Sequence, residues 1–481
     1  MPKRPRLRAI FYAAGILLSF APIATVAQTA ATHITPPPPK PFVLPSYTRD
    51  VLPNGLTLLL LEKHETPLVS ATLLLRSGTV ADPRGKEGLA TLTSELLRRG
   101  AGTRSAEAFS NEADFIGMEY RTSADLDATT VSANFLKKDQ AAALSLLTDA
   151  VLHPTFPQAE FAKTLGQQQD QVRVTKDEPR QLLGVYFRAF LYGPENPYSR
   201  PPAGDEISLR GITRDDVTGF YAANYTPANA ILAICGDFDS ATMKSAIQQA
   251  FGAWQGKAPA RIPLPQAKPQ TGRRILLVDK PDATQTYFAM GNIGIDATDP
   301  SRGPIQVVNT LFGGRFTSLF NTELRIKSGY SYGAFSSFSL LRAPGPFTMM
   351  TFTKNATTGP ALDKTIEVLN TAHTTGFTED QLTSAKNTIA GELPPSLETS
   401  QQLADTLARN ELFGISRDQF NANLIALQKT SVTEQKRLLE QNFPSAGNLV
   451  IVVVGKASEI QPLMSKYATN ITVRKISDPG Y

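Results

Sequence analysis

Cysteine, tryptophan and histidine are scarce in this chain, at one, one and four among 481 residues. The single cysteine, Cys235, excludes an intrachain disulfide, and its place in the apolar run 230–235 marks it as core. His33 lies in a proline-rich tail, His64 follows a strand pattern and His153 precedes Pro154 at a helix end; the fourth is His373. An excess of one charge sign is also missing. The formal net charge is +5, and Lys3, Arg4, Arg6 and Arg8 supply four of it, so residues 28–481 sit near +1. No basic helix or stripe stands out, which removes the electrostatic ground for a nucleic-acid partner. Long apolar runs are absent outside the N-terminus, where residues 9–20 form one that is followed closely by Pro22. A membrane span needs about 20 apolar residues, so no stable span is expected. With its basic start and the small-residue site Thr25-Val26-Ala27, the segment 1–27 reads as a cleavable secretory signal, an uncleaved anchor being the alternative. Export without disulfides fits a bacterial periplasm.

The length suits two domains of about 200 residues each. Residues 28–45 contain Thr35-Pro36-Pro37-Pro38-Pro39-Lys40-Pro41 and read as an extended spacer. A second proline cluster (Pro259, Pro263, Pro265, Pro269) marks 258–272 as a linker, because proline at that density continues neither a helix nor a central strand. The expected domains are therefore 46–257 and 273–475. They repeat each other weakly. Leu59-Leu60-Leu61-Glu62-Lys63 parallels Leu276-Leu277-Val278-Asp279-Lys280 at an offset of 217, Phe156 and Phe161 parallel Phe377 and Leu382 at 221, and Asn224 and Gly236 parallel Asn442 and Gly455 at 218 and 219. Near-constant offsets argue for internal duplication. Residues 56–61 and 68–75 have strand length and apolarity, 131–136 alternate, and 140–152 and 158–174 follow helical patterns. Each half is expected to be an α+β sandwich with helices over one sheet face.

Chemistry is suggested first by Gly88-Leu89-Ala90-Thr91-Leu92-Thr93-Ser94-Glu95, a helix whose i, i+3 and i+4 positions share a face. That spacing serves zinc peptidases as His-x-x-Glu-His, two imidazole ligands and a carboxylate that activates water. Here Thr91, Ser94 and Glu95 occupy it. The flanks, Gly88-Leu89-Ala90 and Gly100-Ala101-Gly102-Thr103, resemble the pitrilysin/insulinase family of zinc peptidases in its mitochondrial-processing-peptidase-like form. Asn54-Gly55-Leu56-Thr57 and Arg76-Ser77-Gly78-Thr79 resemble the start of that family's N-terminal domain. Phe161 to Pro179 resembles the helix that donates the third zinc ligand, which places Gln171 at the ligand position and Thr164 where a supporting glutamate is usual. The resemblance implies two homologous α/β domains, clamshell-like around a cavity. It also implies a degenerate zinc site in which Thr91, Glu95 and Gln171 replace the ligands and Ser94 replaces the base. Zinc wants about three imidazole, thiolate or carboxylate ligands, and only Glu95 qualifies, so no metal is expected in this chain. The plain reading of Thr91 and Ser94 is a satisfied polar helix face.

In the second half, residues 318–332 read as helix, a stop at Gly329, then a strand that carries Tyr330 and Tyr332 on one face. The segment resembles the family's Leu-Arg-Glu-x-x-Gly-x-x-Tyr, with Ile326 where glutamate is common. In the family an Arg and a Tyr seven residues apart reach toward the zinc site of another domain, and Arg325 and Tyr332 have that spacing. A guanidinium and a phenol can donate to the oxyanion formed on a peptide carbonyl. Their ordinary roles would be helix-dipole complement and strand composition. Gly313-Gly314 ahead of the helix lacks the Lys-Ser/Thr of a phosphate loop and reads as a helix opening or close backbone packing. The expected function is that of a zinc-less subunit in a heteromeric peptidase. A homologous partner subunit would carry His-x-x-Glu-His and the zinc, and an unfolded peptide would be the substrate, held by strand addition. A non-catalytic peptide-binding or assembly protein on the same scaffold is the alternative, and an autonomous metallopeptidase ranks last.

Overall fold

Apolar runs and alternating segments sort into two six-stranded sheets, one in each half of the chain. The computed structural model describes residues 42–481, so the expected signal and most of the spacer lie outside the described residues. The first half contributes β1 (Thr48–Val51), β2 (Thr57–Glu62), β3 (Leu68–Leu75), a short hairpin of β4 (Gly100–Ala101) and β5 (Arg104–Ser105), then β6 (Glu119–Ala124), β7 (Thr129–Leu136) and β8 (Ala230–Gly236). Its sheet runs β1-β2-β8-β3-β7-β6. The second half contributes β9 (Arg274–Asp279), β10 (Gln285–Ile293), β11 (Ala334–Phe338), β12 (Pro346–Lys354), β13 (Val450–Gly455) and β14 (Asn470–Lys475), in the order β11-β12-β10-β13-β9-β14.

The two orders superpose on five strands. In both sheets a strand from late in the half inserts between two early ones, β8 between β2 and β3 and β13 between β9 and β10, parallel to the first of the pair and antiparallel to the second. Leu59 faces Ala233 in one sheet as Leu276 faces Val452 in the other. The sixth strand breaks the repeat. β1 precedes its neighbour in sequence and runs antiparallel to it, whereas β14 comes from the end of the chain and runs parallel to β9.

Helices pack over both sheets. They are α1 (Leu89–Leu96), α2 (Ala106–Phe115), α3 (Gln140–Leu152), α4 (Gln158–Lys176), α5 (Pro179–Tyr192), α6 (Arg214–Asn224) and α7 (Ser240–Phe251) in the first half. In the second they are α8 (Arg302–Asn309), α9 (Leu319–Asn321), α10 (Thr358–Thr375), α11 (Glu379–Ser396), α12 (Ser400–Phe413), α13 (Arg417–Gln428), α14 (Val432–Asn442) and α15 (Ala457–Met464). The alternation of β7, buried at every second residue, matches a strand with only one face in a core.

β8 and β13 are different, being buried at every position. The reason lies in an exchange of helices between the halves. α5 of the first half lies on β10 and β13 of the second sheet, where Leu183, Tyr186 and Phe187 pack with Val278, Ala289 and Val452. α12 of the second half lies on β3 and β8 of the first sheet, where Leu403, Leu407 and Ala408 pack with Leu59, Ile231, Ala233 and Cys235. Each sheet is therefore apolar on both sides at its centre, one face closed by its own helices and the other by a helix from its counterpart. A polar cluster fixes the second contact, where Asp405 accepts at 2.7 Å from both Thr72 Oγ1 and Gln401 Nε2.

Between Phe251 and Arg274 the chain forms neither helix nor strand. The end of the expected N-terminal spacer is not a free extended segment. Leu44 is fully buried in the cluster under α12, with its N–H donating to Asn421 and its carbonyl accepting from Arg417. The leucine and its flanking Phe42 have apolar surface to bury, and the proline content of 35–41 does not extend to them.

Candidate functional site

The helix face singled out in the sequence is α1, which starts at Gly88 with φ of +93°, a left-handed conformation that suits glycine. Gly88 has no side chain to cap the helix. Asp82 does so from six residues upstream, accepting from the N–H groups of Gly88 and Ala90 at 2.8 Å each. Burial pushes its carboxyl up to about 8, with those two donors and Arg200 pulling the other way. Sequence reading missed this residue, and the only signal would have been an acid shortly before a glycine-led helix that lacks its own cap.

All four degenerate positions are engaged in hydrogen bonds within the chain. Thr91 Oγ1 donates to the carbonyl of Pro202 at 2.7 Å, and the fully buried Ser94 donates to the carbonyl of Thr91 at 2.8 Å. Glu95 is half-buried and accepts a long 3.4 Å bond from Thr122 on the edge strand β6. Gln171, exposed on α4, donates to Thr175 at 3.3 Å. α1 and α4 do pack together, but the bond between them runs through Gln168, whose Nε2 donates to Gly88 O at 3.1 Å and to Ala203 O at 2.9 Å. Thr164 Oγ1 is buried without a partner.

These residues do not fit a zinc ion. Two hydroxyls already donate to carbonyls, an amide is a poor ligand, and one carboxylate remains. Among the described residues no three His, Cys, Asp or Glu side chains converge in a way that could hold a metal.

The second candidate pair lies in the other half. Arg325 and Tyr332 line one pocket of about 460 Å³ with Gln285, Tyr330, Phe352 and Lys354, and no residue of the first half lines it. Its lining carries two cations and no carboxylate. The local structure departs from the expected helix and strand. α9 is a single short turn followed by a wide π-type stretch, Thr322–Lys327, closed by Ser328 N donating to Glu323 O at 3.0 Å. Arg325 rides on that widened turn, a feature often found at functional positions. Gly329 takes φ of +64° as a helix stop should. The strand begins only at Ala334, so Tyr330 and Tyr332 do not share a strand face. Instead the N–H of Tyr330 is drawn back to the carbonyl of Leu324 at 2.9 Å and its own carbonyl accepts from Thr353, bonds that hold the segment off the ladder. Tyr332 is 75% exposed, and the Arg325 guanidinium lies 4.7 Å over the ring of Phe316, itself half exposed.

Two further sequence features are accounted for by packing. A Cβ on Gly313 would come within 2.7 Å of the backbone of Ser336, so this glycine permits a close approach to β11. Arg315 beside it donates to Ser384 and Thr388 of α11 at 3.1 Å.

No helix among the described residues is long and apolar enough to cross a membrane. Residues 57–193 match the model of the insulinase family, peptidase family M16, and residues 211–389 match that of the peptidase M16 inactive domain. An uncharacterized zinc protease of Mycobacterium leprae is 25% identical over 370 residues, which span 76% of this chain and 82% of that protein. One of Mycobacterium tuberculosis is 24% identical over 409 residues, covering 83% of this chain and 92% of the relative. Among solved structures, a peptidase M16 inactive domain from Pseudomonas fluorescens aligns with a TM-score of 0.80 at 24% identity, over 85% of this chain and 98% of that one. A protease from Helicobacter pylori aligns at 0.79 and 20% identity, over 85% and 100%. With the matched sheets, the glycine-led α1 and the domain models all in agreement, the chain belongs to the M16, or pitrilysin/insulinase, family of peptidases, as a member without the His-x-x-Glu-His motif.

Proposed function

We propose that this chain is the zinc-free subunit of a heteromeric M16 metallopeptidase that cuts unfolded peptides. A homologous partner subunit supplies His-x-x-Glu-His and the ion. The observation that carries this reading is an asymmetry between the two candidate sites. Thr91, Ser94 and Gln171 are spent on hydrogen bonds within the chain, whereas Arg325 and Tyr332 stand in an open, carboxylate-free pocket with the phenol in solvent. Presented across a subunit boundary, the pair would donate to the oxyanion that develops on a scissile carbonyl, a contact that strengthens only as charge forms. Zinc in the partner supplies the Lewis-acid chemistry. Export to the periplasm through the N-terminal signal belongs to the same reading.

The test uses the isolated chain and the complex. Purified alone, the chain neither retains stoichiometric zinc after dialysis nor cleaves an unfolded peptide. Co-expressed with a homologue that carries the intact motif, it co-elutes with that homologue and the complex has activity. In the complex, Tyr332→Phe and Arg325→Ala each lower kcat by about 10²-fold with little change in KM, as expected for loss of one oxyanion donor. Zinc-dependent turnover by this chain alone would reject the proposal.

A second reading rests on the stacking of Arg325 on the half-exposed Phe316. Such a pair could serve to dock a neighbour with no part in chemistry. It predicts that both substitutions leave kcat of the complex unchanged and that Phe316→Ala weakens assembly.

A further inference from the structure

A cleft lined by residues of both halves, separate from the Arg325/Tyr332 pocket, has the chemistry of an anion receptor. It encloses about 700 Å³ and is walled by the end of β3, the start of the interdomain linker and the end of α12. Three arginines line it, Arg76, Arg261 and Arg342, against one carboxylate, Glu411. That carboxylate is already committed. Arg49 holds it in a two-pronged bond at 2.9 and 3.0 Å, and Arg76 approaches it at 3.5 Å. Arg342 is partly engaged as well, with its Nη2 donating to Ile262 O at 3.2 Å and its Nε 3.7 Å from Asp127. Arg261 has no such company, since among the described residues no carboxylate lies within 4 Å of it.

Arg76 is only 23% exposed at its side chain, so its charge sits in a partly dry wall with Arg261 nearby. Burial and the Arg261 charge both act against its protonated form, and Glu411 acts in its favour. With Glu411 shared between Arg49 and Arg76, and Asp127 3.7 Å from Arg342, the guanidinium charge around this hollow is only partly compensated. An oxyanion accepting forked hydrogen bonds would complete the compensation. The remaining wall is mixed, with Val80, Pro259 and Phe413 beside Asn224, Asn229 and Thr298, and the volume is within the range of small-molecule sites.

We infer that the interdomain cleft binds a small organic anion bearing two or more oxyanion charges, held by Arg76, Arg261 and Arg342, and that the bound anion ties the linker to both halves. Phosphate and carboxylate groups share this chemistry, so two probes separate them, tripolyphosphate and citrate, each at fixed ionic strength.

Titration calorimetry on the full chain should show one saturable site for at least one probe, with a Kd below about 1 mM. Arg261→Gln, which removes a side chain that holds no other group in place, should weaken that site about tenfold, the equivalent of one charge-assisted hydrogen bond. Arg437→Gln on the outer helix α14 should leave it unchanged. In the unaltered protein the bound probe should slow tryptic cleavage after Lys257 and Arg261 severalfold, since residues 258–262 form the wall. Saturation by tripolyphosphate assigns a phosphoryl ligand, and saturation by citrate a carboxylate one. The inference is overturned if neither probe saturates, if Arg437→Gln weakens binding as much as Arg261→Gln, or if the linker is cut at the same rate with the probe present.

Discussion

Single side chains decide how α1 is held. The helix that should bear the zinc ligands in a catalytic relative is anchored by Asp82 at its start and by Thr91 and Gln168 to the 202–203 loop. Asp82→Ala would leave two buried N–H groups without acceptors, and a cost of about 1–2 kcal/mol in a denaturant titration is expected. His64 is a second residue with a readable consequence. Its ring lies 2.7 Å from Asp237 and 3.2 Å from Glu62, and those two acceptors raise its pKa above the ordinary histidine value. A raised value means that its stabilisation is full below about pH 6.5 and fades as pH climbs through the higher folded-state value. The Tm difference between the unaltered protein and His64→Ala should therefore be larger at pH 6 than at pH 8.5. An equal difference at both would show that the histidine does not titrate against its neighbours.

At the scale of elements, the exchanged helices α5 and α12 matter most. α5 places leucine and aromatic side chains, and α12 leucine and alanine side chains, on a sheet that belongs to the other half. Leu407→Ala at one contact or Leu183→Ala at the other removes a buried side chain from a packed face, at an expected cost of about 2–5 kcal/mol. Cys235 reports on the α12 contact directly. Its thiol is fully buried there and burial pushes its pKa to about 11, so iodoacetamide at pH 8 should leave it unlabelled. Leu407→Ala should speed labelling by opening that contact. If labelling is fast in the unaltered protein, α12 is not seated on the sheet as described.

For the whole molecule, mutual coverage couples the two halves. Neither sheet has both faces covered by its own half, so neither half retains a complete core without its counterpart. Calorimetry of the intact chain should accordingly give one cooperative transition. A fragment of residues 46–257 should be insoluble or partly unfolded, because it loses α12 over β3 and β8 and leaves α5 with no sheet to cover. Two well-separated transitions, or a fragment as stable as the full chain, would contradict the coupling.

Local pattern was sufficient for much of this protein. Apolar runs and alternation located β2, β3, β7 and β8, and α3 spans the residues its periodicity indicated. The repeated offsets revealed a duplication that the matched strand orders now display. That the chain carries no His-x-x-Glu-His was legible in the same way, since ligand chemistry depends on residue type before it depends on geometry. Other features needed the folded chain. Tyr330 and Tyr332 carry a strand-like spacing, yet bonds to Leu324 and Thr353, one helix turn and one strand away, hold them off the sheet. Nothing in α5 or α12 taken alone says which sheet it will cover, because an apolar stripe records that a face is buried and not against what. The arginine-lined cleft likewise joins positions 76, 261, 342 and 411, which no local pattern connects. Sequence fixes what each segment must bury or bond, and only the closing of the chain on itself selects the partner, since burial and charge act through distance in space.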